Sequence, residues 1–187
     1  MSGAGHIDPS NKKVALLIAV LAAFLAFSET LGSSAQTEAL SRNIEASNLW
    51  SFFQAKTIRM TTLRTAAESL EVDAALAATP EAKAIIDKRI ASWKKTAERY
   101  DSEPDTKEGR KELSARAKAS EQKRDRSLAA YHQYEVASGA LQIAIVLASA
   151  NVITGAAFLM WGAMGLGALG VAFAFIGFFA PTLIHLM

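Results

Sequence analysis

The chain has 187 residues, half of them hydrophobic, and twenty Lys and Arg against eighteen Asp and Glu give a net charge of +2. No Lys, Arg, Asp or Glu follows Glu135, and fifty-two closing residues without a full charge exclude an ordinary soluble domain and suit a bilayer core ~30 Å thick. Cysteine is absent, which excludes disulfides and thiolate chemistry, and the basic and acidic residues are too finely interleaved for a nucleic-acid-binding stripe.

Residues 1–13 read as an N-terminal tail, polar through Asn11 and ending in Lys12-Lys13. The apolar run Val14–Phe27 that follows has two readings. One is a secretory signal with a small-x-small site at Ser33-Ser34-Ala35, and the other is an uncleaved anchor continuing through Ser34. The anchor is the reading taken, giving a first transmembrane helix over 14–34. Ala15, Ala19 and Ala23 form a small-residue stripe on it, open to another helix.

From Leu49 a seam alternates steps of four and three: Leu49, Phe53, Lys56, Met60, Leu63, Ala67, Leu70, Ala74 and Ala77. That is the spacing of a coiled coil or helical hairpin, broken only by Lys56. Thr79-Pro80-Glu81 stops it and starts a second helix, with Thr as cap, Pro in the first turn and Glu complementing the dipole. Ile86, Ile90, Trp93, Ala97 and Tyr100 carry the spacing on. Residues 101–106 read as a break, and 107–135 as a polar third helix with Leu113, Ala117, Leu128 and Tyr131 as its apolar contacts.

The ascending limb would rise about 65 Å at 1.5 Å per residue, and the two later pieces end to end about 75 Å. The match favours an antiparallel hairpin over 35–135 with its tip near Thr79-Pro80; a compact three-helix globule is the alternative. A second transmembrane helix follows at 136–153, with a stripe at Ala140, Ala144 and Ala148 and two polar groups, Gln142 and Asn151. A third, glycine-rich, spans 156–180. The fold class is therefore all-α, with three transmembrane helices and a long extramembrane antiparallel helical hairpin or coiled coil between the first and second.

The segment Glu45–Arg59 reads Glu-Ala-Ser-Asn-Leu-Trp-Ser-Phe-Phe-Gln-Ala-Lys-Thr-Ile-Arg. In it, and in the order of its hydrophobic helices, the chain resembles the bacterial domain-of-unknown-function family 4337 of uncharacterised membrane proteins. The resemblance covers nearly the whole chain and implies no activity. It also implies a turn rich in Lys and Arg between the last two spans, on the cytoplasmic side. Here that turn is Asn151–Gly155, without charge, so the support is absent.

Lys12 and Lys13 precede the first span and Glu29, Glu38 and Glu45 follow it, which puts the N-terminus in the cytoplasm and the hairpin in the periplasm of a bacterial inner membrane protein. Lys118, Lys123, Arg124 and Arg126 before the second span argue the other way. They weigh less, because long loops translocate largely regardless of charge.

Candidate chemistry is sparse. His6, His132 and His185 are scattered, and His132 suits an interfacial belt with Tyr131, Gln133 and Tyr134 better than a metal site. Glu29, Gln142 and Asn151 are polar groups in or beside the spans, where a carboxylate can serve a proton or cation path or simply reach the headgroups. Trp50, Phe52, Phe53, Gln54 and Lys56 are candidate interaction residues. Exposed aromatics anchor partners, while packing between limbs or subunits is the competing role for Trp50 and Phe53. Asn48, Gln54 and Lys56 would then form a buried polar register device.

The glycines between Gly162 and Gly170 lack the flanking strand and acidic residue of a dinucleotide site. No catalytic, cofactor or metal site is expected, nor an enzyme. The expectation is a homo-oligomeric scaffolding or accessory component of an envelope complex, in contact with lipid and with a larger membrane assembly. A small homo-oligomeric channel is the alternative.

Overall fold

The computed structural model describes residues 9–184, and among them every regular element is a helix. In chain order these are α1 (Pro9–Ala75), α2 (Pro80–Asp101), α3 (Arg110–Thr154) and α4 (Ala157–Phe179). α1, α3 and α4 are each long and apolar enough to cross a membrane. α1 opens at Pro9, which suits a first helical position because it has no N–H to leave unpaired. Pro9–Asn11 are thus helical rather than tail, and the rest of the expected tail, residues 1–8, lies outside the described residues.

The chain forms two compact units. The first takes the described residues up to Leu40 and from Lys123 onward; the second is Ser41–Gln122. Inward positions on α1 keep alternating steps of four and three in both. In the first unit they are Val14, Ile18, Leu21, Leu25, Ser28 and Gly32; in the second they run from Ala46 through Leu49, Phe53, Lys56, Met60, Leu63, Ala67 and Leu70 to Ala74.

In the first unit α3 runs antiparallel to α1, and α4 antiparallel to α3. Val14 packs with Ala148 and Ala163, and Leu21 with Leu141 and Ala144. Small residues set the spacing. A Cβ added at Gly170 would meet Leu141 Cγ at 2.7 Å and the Ala137 carbonyl oxygen at 3.0 Å, and one added at Gly177 would meet Tyr134 Cε1 at 3.1 Å. Ala140, Ala144 and Ala148 are buried, so the stripe read on this helix is a packing face. Ala15, Ala19 and Ala23 are exposed instead, because bulkier Val14, Leu17 and Leu21 fill the contact.

In the second unit α2 and α3 pack on successive stretches of α1. Ala67, Leu70 and Ala74 meet Ile86, Ile90 and Trp93 of α2, while Leu49, Trp50 and Phe53 meet Leu113 and Ala117 of α3. This order makes α1 and the pair α2–α3 antiparallel limbs. Thr79 caps α2, its Oγ1 accepting from the Ala82 N–H at 3.2 Å, with Pro80 in the first turn.

The break between α2 and α3 is longer than its composition suggests and α3 starts at Arg110 rather than Lys107. Lys107 has φ 58°, outside the helical region, and Gly109 sits where no side chain fits: a Cβ there would lie 2.7 Å from Ser102 Cα and against the Glu103 nitrogen and Glu112 Oε2. Leu128 is exposed, because the α3 register turns Ser120, Arg124 and Ser127 inward ahead of it.

Candidate functional site

The candidate interaction residues lie where α1 meets α2 and α3 in the second unit. α1 places Trp50, Phe53 and Lys56 at i, i+3 and i+6, close to one face. Trp50 Nε1 donates to Glu121 Oε1 at 2.8 Å, and the Trp50 and Phe53 rings meet edge to face at 5.4 Å. The Arg110 guanidinium also lies against Phe53, 5.1 Å from its ring centroid. Arg110 Nη1 also donates to Asp101 Oδ1 at 3.1 Å and contacts Met60 Sδ at 3.4 Å. Trp50 and Phe53 therefore join the limbs.

Lys56, the one charged residue on the seam read from Leu49, is only 7% exposed. Its Nζ sits 5.0 Å from the Tyr100 ring centroid and 5.4 Å from that of Phe52, with Glu108 Oε2 at 4.0 Å. Two ring faces and one carboxylate replace the water that a buried ammonium loses. Phe52 and Gln54 are exposed, as is Asn48. The buried polar device thus reduces to Lys56: the seam of this hairpin passes through 53, 56 and 60 and leaves 48 and 54 on the opposite side of the helix.

Next to this cluster, the α2–α3 junction is held by carboxylates. Asp101 pairs with Arg110 and Lys111, and the Lys111 hydrogen bond holds its carboxyl below the ordinary range. Glu112, in the first turn of α3, accepts from Ser102 Oγ at 2.7 Å and from the Glu103 N–H at 3.2 Å; the Ser102 bond lowers its pKa. Arg99 does the same for Glu103.

The polar residues of the spans separate. Gln142 Nε2 donates to Glu29 Oε1 at 3.2 Å, so α1 and α3 share a carboxylate–amide pair on the surface of the first unit. Asn151 is apart: its Nδ2 donates to the Ala156 carbonyl at 2.9 Å and secures the turn in which Gly155 takes φ 67°.

The expected interfacial belt divides. Tyr131 and His132 are half-buried, with His132 Nδ1 3.6 Å from Glu135 Oε2, whereas Gln133 and Tyr134 are buried in the bundle because small Gly32 and Gly177 admit them. Gln133 Nε2 donates to the Ile184 carbonyl at 2.8 Å, tying down the chain beyond α4. His6 and His185 lie outside the described residues. Among the described residues, no group of three or more His, Asp or Glu could hold a metal ion.

Sequence reasoning missed Glu121, Glu108 and Arg110, whose partners are 71, 52 and 57 positions away in the chain, beyond any local pattern. It also missed an apolar groove of about 230 Å³ in the first unit, lined by Phe24, Phe27, Leu31, Phe175, Phe178 and Phe179. The recurrence of Phe at helical spacing on both helices was the available signal. Ser28 lies at the same groove, its hydroxyl buried and without a hydrogen-bond partner.

The family described as "Domain of unknown function (DUF4337)" matches residues 10–180, and the chain belongs to it. No curated protein and no solved structure matches.

Proposed function

We propose that this member of the DUF4337 family is a non-enzymatic, multi-pass protein of the bacterial inner membrane. In this reading the N-terminus is cytoplasmic, and an extramembrane helical hairpin with coiled-coil spacing stands in the periplasm as a homo-oligomeric scaffold or accessory part of a larger envelope complex. One observation carries it: the side chains best able to do chemistry are spent joining helices. Trp50 is held by Glu121, Lys56 by its aromatic cage, and Asn151 by the α3–α4 turn.

What the hairpin then offers is surface, and α2 offers a charged one. Nine of its fifteen exposed residues are Lys, Arg, Asp or Glu, a face suited to steering and holding a polar protein partner. The Lys12-Lys13 pair before the first span, with Glu29 and Glu38 after it, supports the orientation. The spans themselves meet lipid.

The test is native mass spectrometry and single-particle imaging of the protein gently solubilised from its own membrane. A homo-oligomer, with a second protein released by charge reversal at Lys88 and Lys95, is the expected result. A lone monomer would overturn the proposal. A channel is favoured by one observation, the Glu29–Gln142 pair between two span-forming helices. Conductance in liposomes that is abolished by Glu29→Gln would replace the scaffold reading with that one.

A further inference from the structure

The outward face of α1 in the second unit is chemically unlike a helix face meant for water. Between Ser41 and Leu76 twenty-two residues are exposed and five of them are charged (Arg59, Arg64, Glu68, Glu71 and Asp73); at the sixteen positions of the three outward heptad sites Glu68 is the one charged residue. On α2 nine of fifteen exposed residues are charged. Along the centre of the α1 face, Ile44, Ser51, Ile58, Thr65 and Val72 recur every seven residues. Ile58 is 66% exposed and Val72 60%. A solvated helix carries its charge on this side and a helix between two neighbours does not.

Two hydroxyls of the face are turned onto the helix backbone. Ser51 Oγ donates to the Ser47 carbonyl at 3.0 Å, and Thr62 Oγ1 to the Ile58 carbonyl at 2.9 Å. Each of these two hydroxyls thus has its proton satisfied within the helix. Beside the exposed Ile58 the surface dips into a shallow groove of about 610 Å³ lined mainly by threonines and reaching Ser69. Arg59 and Arg64 flank one end, Glu71 and Asp73 the other, so an uncharged centre has a charged rim, the anatomy of a protein interface.

The geometry points to a second copy of this chain as the occupant, docked parallel and in register along α1; the inference rests on the oligomeric, membrane-anchored reading above and names its contact surface. Two copies inserted the same way in one bilayer present identical faces side by side. Glu68 apart, the face meets itself without like-charge repulsion, and the exposed Ile58 borders a hollow that can accept an apolar side chain. The area suffices. About 50 Å of helix covered over a strip about 10 Å wide is about 500 Å² on each copy, or about 1,000 Å² in all, the size at which a specific interface begins.

The chain has no cysteine, so single substitutions report without background. Ser51→Cys, Ile58→Cys and Thr65→Cys, oxidised in native membranes, should each give a disulfide-linked species of twice the chain mass. Lys88→Cys on α2 should not, since bridging requires Cα atoms within about 7 Å. Ile58→Glu with Thr65→Glu should halve the native mass in gentle detergent while helix content stays unchanged, because both side chains are exposed in the single chain. An oligomeric protein that fails to cross-link at 51, 58 and 65, cross-links equally at 88, or links at these sites to a different protein overturns this interface and leaves the oligomer standing. A monomeric parent protein overturns both.

Discussion

Three glycines on one helix should respond to the same substitution in three different ways. In α4, Gly165 has nothing within 4 Å of an added Cβ, Gly167 would bring it 2.7 Å from Leu21 Cδ2, and Gly170 would bring it 2.7 Å from Leu141 Cγ and 3.0 Å from the Ala137 carbonyl. Replacing a helical glycine by alanine gains roughly 0.5 kcal/mol in backbone entropy where space is free. Overpacking a close contact costs about 1–3 kcal/mol. Gly165→Ala should therefore stabilise by about 0.5 kcal/mol.

Gly170→Ala should destabilise by about 1–2 kcal/mol, since its new methyl meets a backbone oxygen that cannot move aside. Gly167→Ala falls between them, because the end of the Leu21 side chain can rotate away. Unfolding in mixed micelles titrated with a denaturing detergent, followed by circular dichroism, ranks the three. A cycle adds the decisive comparison: in a Leu141→Ala background the penalty at Gly170 should shrink by about 1 kcal/mol, as expected for residues in direct contact. Equal effects at 165 and 170, or additivity with Leu141→Ala, would refute the packing account of the first unit.

Other expectations concern the hairpin. Gly109→Ala should cost about 1–3 kcal/mol by forcing Ser102 and Glu112 apart, read as faster amide exchange at Glu103 and Leu113. Lowering pH should loosen the same junction. Asp101, Glu103 and Glu112 all have folded pKa values below their ordinary 3.8, 4.5 and 4.5. Their stabilisation is whole above pH 4.5 and is lost as pH falls through the depressed values, below 3.8 for Asp101. Thermal melting between pH 7 and pH 3 measures it, and Lys111→Met should flatten the Asp101 part. Lys56→Met, keeping the stem without the charge, should change stability by less than about 1 kcal/mol. Lys56→Ala should lose about 2 kcal/mol with the stem and both ring contacts. Chemical denaturation of the two variants separates charge from packing.

The hairpin was legible because polarity there carries a period. Leu49, Phe53, Met60, Ala67 and Ala74 stand out against Arg59, Arg64 and Glu71, and the Thr79 cap fixed the tip without any knowledge of the partner limb. Pairings such as Trp50 with Glu121 were not legible, since both limbs offer many polar groups and only the register between helices selects one. In the first span the signal fails for a different reason. Its inward residues, Val14, Ile18 and Leu21, and its outward ones, Leu16, Ala19 and Val20, have the same polarity.

Where both faces are apolar, size is the remaining variable, and size does not say which of the two alanine stripes packs within the unit. A small stripe permits close approach without saying who approaches; Ala140, Ala144 and Ala148 are used inside the bundle and the α1 stripe is not. What resolves the ambiguity is continuity of register. Once Leu49 to Ala74 fixes the inward phase of α1, stepping back by fours and threes through Ala46, Gly32 and Ser28 reaches Leu21 and Val14, the buried residues of the first span. In the second unit the opposite phase of α1 carries mostly uncharged side chains, and that contrast with the charged exposed residues of α2 is what the cross-linking experiment tests.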